Sequence, residues 1–267
     1  MKGLSGLLLV LGVYLFSERA DGQNPYSTVR NIPLPANYKR TVQEEGAFGQ
    51  WLRNVPLKSD KTVYLYNGQK KINQSAQFAV LNISVGNKDL QQCADAVIRL
   101  RAEYLYSIKA YAQIAFHATD GTVMDYESWI KGYRFIPVQG KLVKRLIATP
   151  SDKRESFLQY LETVFSYAGT LSLSRELQPV LLKDIQPGDV FIRGGSPGHA
   201  VIVMDVAVND AGKKVFLLAQ SYMPAQDIHL LKNPSSSRLG PWYSTEFEDE
   251  LLTPEWVFKR DQLARFK

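Results

Sequence analysis

Hydrophobic positions recur along this chain with two different periods. From Lys88 onward, Leu90, Cys93, Ala94, Val97, Leu100 and Tyr104 fall every three or four residues, the spacing of one helical face. Asn87 or Asp89 is the N-cap candidate. A second helical stretch carries Phe157, Leu161, Val164 and Phe165 on one side. Its start is marked by Thr149 as N-cap, Pro150 at the first helical position and Asp152 closing a capping box, and its stop by Gly169. Further on, the period shortens to two. Asp189 to Arg193, His199 to Val208, Val215 to Tyr222 and Asp227 to Leu231 read as strands, with Asn209-Asp210-Ala211-Gly212 turning the second into the third.

The flanking segments are less regular. Tyr38 to Val42 predicts a short strand and Ala47 to Asn54 a short helix presenting Phe48, Trp51 and Leu52. Thr62 to Tyr66 and Phe78 to Val85 suggest two strands paired in the manner of a hairpin, with Asn67-Gly68 as a turn signal between them. Ser235 to Arg238 is a loop, and Trp256 to Phe266 is expected to close the chain as a helix. A helix early and antiparallel strands late make an α+β domain over residues 38–267, with an insertion at about 114–180 and a Pro-rich extended leader at 23–37.

Residues 1–22 carry Lys2, then an apolar run from Leu7 to Phe16, then a polar stretch in which Ala20 and Gly22 offer small residues for cleavage. That is a signal-peptide pattern, and the run is about half of the roughly 20 apolar residues that span a bilayer. The expected protein is therefore exported, periplasmic or secreted, without a stable membrane anchor. Removing the leader takes Lys2, Arg19, Glu18 and Asp21, so the net charge of +6 is unchanged. The excess is scattered, which argues against nucleic acid and remains compatible with an anionic envelope surface.

Chemistry is constrained by scarcity. There is one cysteine, Cys93, and three histidines, His117, His199 and His229. No disulfide can form within the chain, and no metal-ligand spacing is present, so neither a metal nor another cofactor is expected. A thiol used for acyl transfer needs an imidazole beside it to hold and return the proton. His117 sits in a poorly patterned stretch, and His229 is placed on a strand where it would project to solvent. His199 follows Gly194-Gly195-Ser196-Pro197-Gly198 and opens the apolar strand Ala200 to Val206, a flexible approach leading into a rigid element.

The run QPGDVFIRGGSPGHAVIVMDV, residues 186–206, resembles the histidine-bearing strand pair of the NlpC/P60 and related papain-like amidases. QCADAVIRL, residues 92–100, resembles their nucleophile helix. Across its length the chain is also similar to an uncharacterised bacterial family, domain of unknown function 4846, in the runs QQCADAVIRLRAEYLYS and AQSYMPAQDIH. The amidase resemblance implies a papain-like core, with Cys93 as nucleophile, His199 as base, and a polar third residue on the next strand. Gln220 is the first choice for that third group. Tyr222 is its rival, favoured by a hairpin centred near residue 211 unless a bulge shifts the register. Gln91 or Gln92 would stand near an oxyanion site formed with the Cys93 N–H.

The function this implies is thiol-dependent amide hydrolysis, with a peptide or cell-wall fragment as substrate. Two other readings stand beside it. Cys93 shares an apolar face with Leu90 and Val97 and can be core, leaving a binding module that uses Tyr222, Trp242, Tyr243 and Trp256. Asp189 and Asp205 can also be read as a glycosidase carboxylate pair, although an Asp after Gly188 is more often a turn residue. Asp95 and Arg99 have the spacing of an ordinary helical ion pair.

Overall fold

The computed structural model describes residues 23–267; the signal-peptide reading concerns residues 1–22 and lies outside them. The first elements are β1 (Tyr38–Arg40), α1 (Phe48–Arg53) and β2 (Gln77–Val80). They are followed by α2 (Cys93–Ser107), the hairpin of β3 (Ala115–His117) and β4 (Val123–Asp125), and α3 (Tyr126–Ile130). A second hairpin, β5 (Tyr133–Val138) and β6 (Lys141–Leu146), precedes α4 (Arg154–Tyr167) and α5 (Thr170–Glu176). The sheet strands are β7 (Gln178–Pro179), β8 (Val190–Arg193), β9 (His199–Asn209), β10 (Lys214–Gln220), β11 (His229–Leu231) and β12 (Tyr243–Ser244). The chain ends with β13 (Glu250–Leu252), β14 (Val257–Lys259) and β15 (Leu263–Arg265).

The fold is α+β around a mostly antiparallel sheet ordered β2-β11-β10-β9-β8-β15-β7, with β1 added beside β9 and β12 beside β10. Its long central strand explains the unbroken apolar run of the sequence. On β9, Ala200, Ile202 and Met204 enter the core that holds α2 and α4, whereas Val201, Val203 and Val206 enter a second core with Phe216, Leu218, Tyr243 and Phe258. A strand covered on both faces loses the in–out alternation of a half-solvated one. The β9–β10 turn lies where the sequence places it, with Gly212 at φ 76° and the Asn209 N–H donating to the Lys213 carbonyl.

Several expectations are corrected. Helix α2 begins at Cys93 rather than at Lys88, because the Asp89 carboxylate is engaged elsewhere, accepting from the Ala225 N–H at 2.7 Å and from Gln92 Nε2 at 3.2 Å. The cap is Gln92, whose N–H donates to Asp95 Oδ2 at 3.0 Å, so Asp95 serves the helix start. Arg99 pairs instead with Glu103 at 2.7 Å. Helix α4 starts at Arg154 rather than Pro150, since the Ser151 N–H is held by the Ile130 carbonyl, and Gly169 caps α5 instead of merely ending α4. The expected hairpin of residues 62–66 with 78–85 is not formed, because β2 pairs with β11. The tail is two strands joined by a short 3-10 turn, not a helix: Phe258 and Leu263 are fully buried in the second core. His229 is also fully buried, because β11 lies between β2 and β10.

Candidate functional site

Cys93 and His199 lie at one end of the sheet, where α2 starts and β9 begins. Both line a cleft of about 530 Å³ whose other walls come from Phe165 to Thr170, the Gly195–Gly198 loop, Tyr222, Met223 and Trp256. The end of α4 and the start of α5 thus form one wall of this cleft. Cys93 is half-buried, the first residue of α2, which places its sulfur at the positive end of the helix. The backbone N–H groups of Cys93, Ala94 and Ala200 lie close enough to favour the thiolate. Ala200 follows His199 on β9, so the thiol sits against the strand that carries the imidazole. No sulfur–imidazole hydrogen bond is formed among the described residues. Catalytic hydrogen bonds in unliganded sites are commonly long and tighten on substrate binding.

The approach to His199 requires glycine. A Cβ at Gly198 would collide with the Gly195 carbonyl oxygen and the Thr170 hydroxyl, so no larger residue fits between the α5 start and the loop. Thr170 Oγ1 donates to the Gly195 carbonyl at 3.2 Å, tying that loop to α5. The peptide bonds before Pro197 and Pro224 are cis.

His199 is 1% exposed, with its ring against Tyr222 at 4.8 Å, Trp256 at 5.2 Å and Phe258 at 5.8 Å between centroids. Its Nε2 donates to Gln220 Oε1 at 2.9 Å. A bulge between Leu217 and Leu218 shifts the β9–β10 register, and the Gln220 amide reaches the imidazole while the Tyr222 ring packs on its face. The Gln220 Nε2 in turn donates to Glu255 Oε2 at 2.7 Å. Glu255 is paired with Lys71 at 2.5 Å and accepts from Asn73 Nδ2 at 3.2 Å. Glu255 and Lys71 were invisible to sequence reasoning, since each lies in an irregular segment far from the strands it serves.

Burial favours the neutral form of both candidate partners. It pushes the Cys93 thiol up to about 11, with the Asp95 charge adding to the effect and the nearby N–H groups opposing it. Burial likewise pulls the His199 imidazole down to about 4, against the Gln220 hydrogen bond and the Glu255 charge. Asp95, two residues beyond the thiol, is itself pushed up to about 8 by burial, and its Oδ1 has no partner.

The remaining candidates are dispersed. Gln92 lines the cleft, but Gln91 turns inward, its Oε1 accepting from Arg99 Nη1 at 3.0 Å. Asp189 is bound to Arg265, and Asp205 to Arg40 and Arg53; each carboxylate is committed to its own cations, and neither lines the cleft, which removes the glycosidase reading. His117 pairs with Glu176 at 3.4 Å in a different cavity. Trp242 and Tyr243 are core residues, so of the proposed aromatic set only Tyr222 and Trp256 reach the cleft. Among the described residues no group of three or more His, Cys, Asp or Glu side chains could hold a metal ion, and no helix is long and apolar enough to cross a membrane.

Fold and site together define an α+β protein with a cysteine–histidine cleft at one end of an antiparallel sheet. The chain belongs to the family described as Domain of unknown function (4846), whose model matches residues 29–265. No curated protein and no solved structure matches it.

Proposed function

We propose that the protein is an exported thiol-dependent amide hydrolase with papain-like chemistry, acting on peptide amides such as those of the cell wall. The observation that carries this reading is the convergence, in one cleft, of a cysteine at a helix start and a histidine held by an amide oxygen. Because Nε2 of His199 is committed to Gln220 as a donor, Nδ1 is the basic nitrogen. In the first step Cys93 Sγ attacks the amide carbon and its proton passes to Nδ1 of His199. The carbonyl electrons move onto oxygen, which the N–H groups at the start of α2 stabilise. Collapse breaks the carbon–nitrogen bond, the imidazolium returns the proton to the leaving amine, and a thioester remains. Water, deprotonated by the same imidazole, hydrolyses it and restores the thiol.

The competing reading is a binding module of the same fold, favoured by the absent sulfur–imidazole hydrogen bond. Digestion of purified cell-wall peptide fragments, followed by mass spectrometry, separates the two. Wild-type protein is expected to cleave an amide bond that Cys93→Ala leaves intact. Binding of fragments by both proteins with cleavage by neither would establish the binding module.

A further inference from the structure

We propose that Glu255 is a positioning residue for His199, acting through the Gln220 amide, with the Lys71 ammonium as its anchor. The proposal rests on the amide-hydrolase reading above and extends it to a buried relay that no feature of the sequence indicates.

The argument starts from the ambiguity of an amide, which offers oxygen or nitrogen by a half-turn. At Gln220 three neighbours remove that ambiguity. Glu255 Oε2, at 2.7 Å from Nε2, can only accept. His229 commits its Nδ1–H to the Asp227 carbonyl at 2.9 Å, leaving a bare Nε2 facing Gln220 Nε2 at 3.5 Å. A flipped amide would set its oxygen against a carboxylate and an unprotonated ring nitrogen together. The Gln220 oxygen therefore faces His199, and His199 must carry its proton on Nε2, which leaves Nδ1 free to take the thiol proton.

Glu255 has a second effect. It is the anion nearest the imidazole through this chain, and a positive His199 forms in the first chemical step. The charged or titratable groups around the ring are Cys93, Tyr222, His229, Glu255 and Lys71. Glu255 favours the imidazolium, whereas Lys71 opposes it and holds the carboxylate in place. The two partners of one ion pair thus act on His199 with opposite sign, so removing each should move His199 in opposite directions, whereas shared damage to packing would move both variants the same way.

The experiment is the rate of Cys93 alkylation by iodoacetamide between pH 5 and 7, with His199 titrated by NMR in the same proteins. Glu255→Gln is expected to lower the rate at pH 5 by about tenfold, corresponding to about one pKa unit at the imidazole, and to mix the His199 tautomers. Lys71→Met is expected to raise the rate and the His199 midpoint. Loss of rate in both variants would mean shared damage to packing and would overturn the proposal. So would an unchanged Glu255→Gln when His199→Ala slows the reaction. If His199→Ala itself has no effect, the hydrolase reading fails and the relay fails with it. Should Glu255→Gln not fold, the sign of the Lys71→Met effect decides alone: an increase upholds the relay and a decrease or no change overturns it.

Discussion

Replacing His199 with alanine should change the shape of the Cys93 reactivity profile, not only its height. The thiol at about 11 and the imidazole at about 4 place the separate charged forms roughly seven pKa units, or about 10 kcal/mol, above the neutral pair. Once the two groups have closed to about 4 to 5 Å, mutual attraction returns about 3 to 4 kcal/mol at an effective dielectric constant of about 20. The ion pair is left about 6 kcal/mol uphill, a population between about one in 10⁴ and one in 10⁵. That population is independent of pH as long as the imidazole is neutral, because no proton leaves the pair. Free thiolate instead changes tenfold per pH unit. Alkylation of the wild type should therefore level off below about pH 6.5, where the ion pair outnumbers free thiolate, and His199→Ala should keep falling, to roughly thirtyfold slower at pH 5. Iodoacetamide with a mass-spectrometric readout measures both profiles on the only cysteine. Parallel profiles would refute the reasoning, since they would mean that the imidazole never receives the thiol proton.

Other expectations follow from the same structure. Asp95→Asn removes a carboxyl that burial holds at about 8 and that raises the thiol when charged, so Cys93 alkylation at pH 9 should speed up severalfold; an unchanged or slower rate would show that Asp95 does not act on the sulfur. His199 and His229 are buried neutral, at about 4 and about 3 against an ordinary 6.5. The unfolded chain binds more protons below 6.5, so their contribution is fully present above that pH and is lost as pH falls toward 4, by an order of several kcal/mol. Asp95, held at about 8, acts with the opposite sign over this range, so urea unfolding at pH 7 and pH 5 is compared in the Asp95→Asn variant, and equal stability at the two values there would contradict the histidine contribution. Asp205 is fully buried between Arg40 at 2.7 Å and Arg53 at 2.5 Å, and Asp205→Ala should cost about 3 to 5 kcal/mol in the same assay by stranding two guanidinium groups. A loss below about 1 kcal/mol would mean that water replaces the carboxylate.

The parts of the fold visible in the sequence are those fixed by local pattern. Strands β8, β9 and β10 could be read from apolar runs and a Gly212 turn, because burial on both sheet faces writes itself into every residue. The body of α2 was equally plain. Its start was not, since Leu90 continues the helical spacing although Asp89 is drawn away by the Ala225 backbone. The tail misled because its expected helix had no local pattern to oppose it, whereas β8 leaves an edge that β15 fills. At the site, Cys93 and His199 stood out among one cysteine and three histidines, whereas Gln220 was reached only through the resemblance to papain-like amidases, with Tyr222 as its rival. Glu255, Lys71 and the buried state of His229 depend on contacts between distant segments, for which no single stretch of sequence carries a signal.

The most direct test of the account is the burst of p-nitrophenol released when the protein meets p-nitrophenyl acetate at pH 6. A cysteine acylated with help from His199 should give about one equivalent per chain. The burst should vanish in Cys93→Ala and slow by about threefold to fivefold in His199→Ala, the deficit expected about half a pH unit below the levelling point. A burst that survives the loss of Cys93, or that is untouched by the loss of His199, would contradict the assignment of a thiol nucleophile and its base to this cleft.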